Sequence, residues 1–220
     1  LEVVFLTKSI ASSARTKFPF YLKNKIFIYN GIKKLENIDS YNIFHNKYYL
    51  FIGRITAQKN LPLLFESFVK FNNYSNSTRE LFIIGRRDMS DNSKFAIINK
   101  YLKLRFVSYL GEKNNINSYL YDARALVLSS LYEGMPLVIL EAMQLGIPII
   151  TTNFSSAYEI LGDDYPFIVN KYDVDSYFKI LKIFDSYSKS QILDISNYLK
   201  KRYNELFTIE TSAISYFKLF

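Results

Sequence analysis

Two glutamates eight residues apart, Glu133 and Glu141, sit in the segment of this 220-residue chain richest in chemical possibilities. Gly134-Met135-Pro136 follows the first, and the second lies in a run that is otherwise apolar: Leu137, Val138, Ile139, Leu140, Ala142, Met143 and Leu145, with Gln144 the other polar residue. Pro136 suits the first position of a helix, and Gly146 suits the position just past its end. A helix apolar on nearly every side is a buried helix. A carboxylate set into it needs a partner, because ionised groups are costly to bury alone. The first turn lies beside Gly134, where the chain can approach a ligand closely and unpaired N–H groups favour an anion. The chemistry expected is a phosphate at the helix start and a hydrogen-bonding carboxylate one to two turns further in. Taken singly, Glu133 reads equally as a solvated loop residue, and Glu141 as a charge capped by a buried Lys or Arg.

A second pair lies upstream. Tyr48-Tyr49-Leu50-Phe51-Ile52 reads as a buried strand from its aromatic and β-branched weight. Gly53-Arg54-Ile55-Thr56-Ala57-Gln58-Lys59-Asn60 follows, and Asn60 is placed to cap a helix over 61–72. Arg54 and Lys59 therefore share one strand-to-helix loop at the carboxyl edge of a parallel sheet, where open α/β folds bind ligands. Two cations there suit a diphosphate, Arg as a planar fork and Lys as a point charge. Together with the two carboxylates they outline a site for a nucleotide sugar.

In order along the chain, Asn30-Gly31-Ile32, Gly53-Arg54 with Lys59-Asn60, Ile83-Ile84-Gly85, Tyr109-Leu110-Gly111 and Glu133-Gly134-Met135-Pro136 with Glu141 form a pattern. It resembles the C-terminal domain of family-4 retaining glycosyltransferases, which have the two-domain GT-B fold. The resemblance implies transfer of a sugar from a nucleoside-diphosphate sugar to a glycan or glycolipid acceptor, with retention of configuration and no metal or other cofactor in the chemistry. It implies donor contacts at Gly53, Arg54, Lys59, Tyr109, Glu133, Gly134, Met135, Leu137 and Glu141, with Arg54, Lys59 and Glu133 taking part in the chemistry. Arg54 and Lys59 hold the diphosphate, Glu133 meets sugar hydroxyls, Glu141 meets the ribose, and Tyr109 offers backbone to the base. One departure is Gly85-Arg86-Arg87-Asp88, where relatives often carry a second glycine. His45 is the single histidine, and it falls in a polar stretch outside these motifs. A non-catalytic nucleotide-binding module and a nucleotide-sugar epimerase of the same fold are the alternatives. The intact Arg54, Lys59, Glu133 and Glu141 set favours transfer.

Elements that could position these residues alternate along the chain. Strands are expected over 2–6, 25–29, 47–52, 80–84, 105–109, 125–129, 147–152 and 166–169. Helices are expected over 8–17, 61–72, 92–102, 115–122, 136–145, 155–161 and 173–186. That alternation predicts an α/β class: a Rossmann-like parallel sheet flanked by helices. A helical C-terminal tail over 189–206 and 210–219 completes it, with Phe207, Ile214, Phe217 and Phe220 left to pack on another domain or copy. The domain division expected is 1–45 as the end of an N-terminal domain with its crossover, 46–186 as the nucleotide-sugar-binding unit, and 187–220 as the tail. By the resemblance, an acceptor domain lies outside this chain, which alone is expected to hold donor without efficient transfer.

Composition narrows the classes. With no cysteine, disulfides and thiolate metal sites are excluded, as suits a reducing, cytoplasmic setting. The net charge of +8 comes from scattered lysines. Without a basic stripe, zinc-finger spacing or RNA-binding motif, it points away from nucleic acid. What remains is a weak bias toward an anionic membrane surface, consistent with peripheral contact at the inner face of a membrane. Richness in Asn, Lys, Ile and Tyr suggests an AT-rich genome, and bacterial surface-polysaccharide or glycolipid assembly is the expected setting.

Overall fold

The computed structural model describes residues 3–17, 25–34, 48–75, 78–87 and 98–219. His45, Phe220 and the first part of the helix expected over 92–102 lie outside them; residues 98–102 of that helix are helical.

Six short apolar runs become strands because each is bounded by turn residues and too short for a stable helix. They are β3 (Tyr48–Ile52), β4 (Leu81–Ile84), β5 (Val107–Gly111), β6 (Ala123–Leu128), β7 (Ile149–Thr152) and β8 (Ile168–Val169). All pair in parallel, in the order β5-β4-β3-β6-β7-β8. Every residue of β3 and β7 is buried, as expected for strands covered on both faces. The order has a direct consequence for the site. The chain runs outward from β3 through β4 to β5, and then returns to β6 beside β3 before running outward the other way. The loops leaving β3 and β6 therefore diverge, opening a crevice at the carboxyl ends of two adjacent strands.

Helices cover the sheet. Leu61–Tyr74 turns Leu61, Leu64, Phe65, Phe68 and Phe71 inward at helical spacing. It packs beside Val174–Asp185, with Tyr74 and Phe178 edge to face at 5.7 Å. Tyr49, fully buried in β3, meets Phe68, Phe71 and Phe184 from these two helices. Tyr177 fills the interior beneath β6 and β7, donating to the Leu128 carbonyl at 3.1 Å and standing 3.3 Å from that of Ile150. Burial raises its pKa well above the usual range. At the amino edge Arg79 and Arg124 reach Asp185 at 2.7 and 3.1 Å, next to the end of its helix. The tail consists of Lys189–Leu206, opened by a Ser188–Gln191 capping box, and Ile209–Phe217. None of the described helices is long and apolar enough to cross a membrane.

Residues 3–17 and 25–34 carry a separate parallel pair, β1 (Val3–Phe5) with β2 (Lys25–Phe27), and the helix Lys8–Lys17. One carboxylate clasps this segment to the rest. Glu159 accepts from the backbone N–H of Lys8 at 2.7 Å and of Ser9 at 3.2 Å, from the Ser9 hydroxyl at 3.1 Å and from the Tyr29 hydroxyl at 3.1 Å. An acidic group at a helix N-terminus satisfies donors that the helix leaves unpaired.

Several expectations need correction. Phe207 is fully buried and meets the ring of Tyr29 edge to face at 5.3 Å, so the 25–34 segment already covers it. Ile214 and Phe217 are exposed as expected. Pro136 is the cap, not the first helical residue: its ψ of 120° is extended and the helix is Leu137–Leu145. The first helical N–H is thus that of Leu137, a donor that proline could not supply. Asn60 precedes its helix in the left-handed region at φ 45°, and its side chain makes no capping bond. The fifth strand runs two residues further than expected, to Gly111, because Gly111 still pairs with Ile84 of β4 across a register shift that passes over Leu110.

Gly85 joins the ends of β3, β4 and β5. A Cβ there would lie 1.9 Å from the Gly53 carbonyl oxygen, and its φ of +151° disfavours other residues. Its N–H donates to the Gly111 carbonyl at 2.9 Å. Gly85→Ala is expected to lower the urea midpoint with an unchanged slope, costing at least about 1–3 kcal/mol from backbone strain. An unshifted midpoint would show that the loops yield freely.

Candidate functional site

The loops after β3 and β6 are stitched together across the crevice. The Leu131 N–H donates to the Gln58 carbonyl at 2.8 Å, and the Ser129 hydroxyl to the Lys59 carbonyl at 2.7 Å. A short turn of 3-10 helix, Ala57–Lys59, presents these carbonyls. The Gln58 amide donates to the Tyr132 carbonyl at 2.7 Å and stands 3.3 Å from Glu133 Oε2. From β7, the Thr152 hydroxyl holds the Ser130 carbonyl at 2.6 Å. Ser155 and Ser156, before the next helix, donate to the carbonyls of Glu133 and Gly134. With its carbonyls taken up in this way, the loop 129–136 has a fixed course.

Lys59 and Glu133 meet directly. Lys59 Nζ lies 2.5 Å from Glu133 Oε1, with the side chains only 14% and 9% exposed. The Ser130 hydroxyl donates to the same oxygen at 2.7 Å. The carboxylate therefore has three donors, and Lys59 keeps two of its three protons for something else. Arg54 is exposed and makes no hydrogen bond or ion pair among the described residues. The N–H groups of Gly134, Met135 and Leu137 also donate to nothing among the described residues. They open a nine-residue helix whose far end is closed by Gly146 at φ 74°. Unpaired N–H groups and a helix dipole beside two cations make an anion site.

Glu141 lies one turn into that helix, half-buried and without a hydrogen-bond partner among the described residues. Burial raises its pKa. Tyr109 differs from the expectation: it lies two residues short of the strand end, and its hydroxyl donates to the Gly85 carbonyl at 3.0 Å. The Arg87 guanidinium lies over its ring at 4.7 Å, so Tyr109 and Arg87 brace the loop after β4, while Leu110 and Gly111 stand at the edge. Gly53 lets Lys59 pass closely, since a Cβ there would be 3.3 Å from Lys59 Cε.

The structure thus brings Gly53, Lys59, Glu133, Gly134, Met135 and Leu137 around one crevice, with Arg54 on its rim. Gln58 and Ser130 were not singled out by the sequence reading. The available signal was weak: an amide next to the cation, and a Ser129-Ser130 pair ending an apolar strand. The 3–34 segment also reaches the site. Ile10 Cδ1 would lie 3.4 Å from a Cβ on Gly134, and the Asn30 N–H donates to Met135 Sδ at 3.3 Å. Leu131, Tyr132 and Leu137 leave exposed apolar surface around the mouth. Among the described residues, no cluster of three or more His, Cys, Asp or Glu side chains could hold a metal ion.

Comparison with known proteins agrees with this geometry. The family model described as glycosyl transferases group 1 matches residues 33–194, most of the chain and all of the crevice. An O-antigen chain mannosyltransferase B of Escherichia coli is 30% identical over 131 residues, covering 59% of this chain and 34% of the relative. The E. coli UDP-Gal:alpha-D-GlcNAc-diphosphoundecaprenol alpha-1,3-galactosyltransferase is 29% identical over 163 residues, covering 68% of this chain and 42% of the relative. The chain thus spans less than half the length of these curated relatives. Among solved structures, HepE of Anabaena in complex with UDP and glucose superposes with a TM-score of 0.83 at 13% identity, over 99% of this chain and 62% of that one. That likeness carries the fold, the C-terminal half of a GT-B enzyme. The family match running through both loops of the crevice, on a sheet with that half's topology, shows that the chain belongs to the group 1 glycosyltransferases, related to enzymes of O-antigen and capsule biosynthesis.

Proposed function

We propose that this chain is the donor-binding half of a retaining glycosyltransferase. It would move a sugar from a nucleoside-diphosphate sugar to an acceptor hydroxyl in bacterial surface-polysaccharide or glycolipid assembly, at the cytoplasmic face of a membrane. The observation that carries this reading is the unpaired helix start at Gly134–Leu137 directly after the Glu133 carboxylate that holds Lys59, with Arg54 exposed on the same loop as Lys59. The diphosphate sits on the N–H groups, and the two cations stabilise the charge that grows on the leaving phosphate, an effect larger in the transition state than in the ground state. Glu133 takes sugar hydroxyls on the lone pairs that Lys59, Ser130 and Gln58 leave unused. Glu141 takes the ribose. An acceptor domain closing over the crevice would exclude water and align the attacking hydroxyl.

Calorimetric titration with UDP and GDP, with and without EDTA, tests the phosphate site. At least one nucleotide is expected to bind equally well in both conditions; binding of both only with a divalent metal would overturn the reading. Arg54→Ala should weaken that binding by roughly 1.5–3 kcal/mol, the worth of a lost charge-assisted bond, without moving the melting temperature. Lys59→Ala should weaken binding and also lower the melting temperature, since it leaves the buried Glu133 carboxylate with only neutral donors. Equal affinity in both variants would mean that the phosphate lies elsewhere.

Glu141→Gln tests the ribose contact and carries a pH signature. Affinity should fall more for the ribonucleoside diphosphate than for its deoxyribose analogue. Burial raises the carboxyl pKa, so at neutral pH the ionised group costs the native state; the variant should melt no lower than the parent. Any gain should shrink as falling pH protonates Glu141 in the parent. A sharp drop in melting temperature would make Glu141 a structural carboxylate.

A further inference from the structure

We propose that Glu133 is also a counter-charge that restrains Lys59, so that the site discriminates between the intact donor and the bare nucleoside diphosphate. This rests on the reading above, that Lys59 serves the diphosphate and Glu133 the sugar. The pair is close, at 2.5 Å, and nearly closed to water, which screens it far less than a surface pair. Its two members are not equally free. Ser130 holds Oε1 at 2.7 Å and Gln58 stands 3.3 Å from Oε2. Both holders are themselves fixed, Ser130 through Thr152 at 2.6 Å and Gln58 through the Leu131 N–H at 2.8 Å. The carboxylate is therefore anchored, and the long, flexible lysine is the member that moves.

The two ligands meet different costs. When a bare diphosphate enters, Lys59 either stays with Glu133 and gives only part of its attraction, or leaves a carboxylate that is nine-tenths buried with neutral donors alone. When the sugar is attached, its hydroxyls donate to the remaining lone pairs of Glu133, and Lys59 turns to the phosphate without leaving that carboxylate under-satisfied. The same pair that accommodates the donor thus loosens the spent nucleotide, as product release requires. Glu133 acts here on phosphate affinity through Lys59, without touching the phosphate.

Calorimetric titration of the parent, Glu133→Gln, Lys59→Met and the double variant with UDP and GDP tests the inference. UDP-glucose, UDP-galactose, UDP-N-acetylglucosamine and GDP-mannose are then compared with their parent nucleotides. Glu133→Gln is expected to bind the bare nucleotide tighter, by roughly three- to tenfold for one partly buried charge pair. The gain should vanish when Lys59→Met is present, and the ratio of donor to nucleotide affinity should fall. Melting curves establish that each variant is folded. Should Glu133→Gln fail to fold, Glu133→Asp withdraws the carboxylate by one methylene and should shift nucleotide affinity in the same direction. A parent that binds nucleotide, with variants that bind it no tighter, overturns this inference and leaves the phosphate site standing. A parent that binds neither UDP nor GDP overturns both.

Discussion

The side-by-side placement of β3 and β6 is the constraint on which the rest of the structure depends. These strands are far apart in sequence, yet their parallel pairing sends one crossover toward β4 and the other toward β7. Two helices leaving adjacent strands toward opposite ends of a sheet cannot fill the space between their first turns. That space is where the chain places a close pair of nearly buried opposite charges, Lys59 and Glu133. The strands supply rigidity, with β3 buried along its whole length. The loops supply chemistry, and they can do so because backbone-to-backbone and side-chain-to-backbone bonds hold them as firmly as the sheet.

Neutrality within the pair matters as much as its position. Each charge offsets the desolvation of the other, at the cost of partly spending both. Arg54 is exposed and has no such partner among the described residues. Glu141 differs again: it is half-buried, burial raises its pKa, and no hydrogen bond to it is made among the described residues.

Much of this was legible in the sequence because the relevant signals are local. Apolar runs of strand length between turn residues located the sheet, and the apolar run after Pro136 located a buried helix with a lone carboxylate in it. The Glu133–Glu141 spacing and the Arg54–Lys59 loop pointed to the strand ends, where Lys59 and Glu133 do meet. What escaped depends on tertiary neighbours. Nothing local says that Lys59 and Glu133, 74 residues apart, will pair, or that Gln58 will reach over the Tyr132 carbonyl. Phe207 read as exposed because its cover, Tyr29, lies far upstream in the chain. The Pro136 error has a different origin: proline is compatible with two neighbouring positions at a helix start, and only the dihedral angles decide between them. Asn60 does hold the cap position, but its left-handed backbone comes without the capping bond that its side chain suggested.

The Glu159 clasp has a consequence in time. Among the described residues, the side-chain bonds that dock this segment on the rest reach far along the chain: Lys8 to Glu159 across 151 positions, Tyr29 to Glu159 across 130, and the Tyr29 carbonyl to Ser212 across 183. During synthesis this segment has its own strand pair and helix to form, and no surface on which to dock. Chain entropy makes such distant contacts slow to form. The piece that walls Gly134 can settle only after Glu159 and Ser212 have been made, and the crevice takes its final shape no earlier than that.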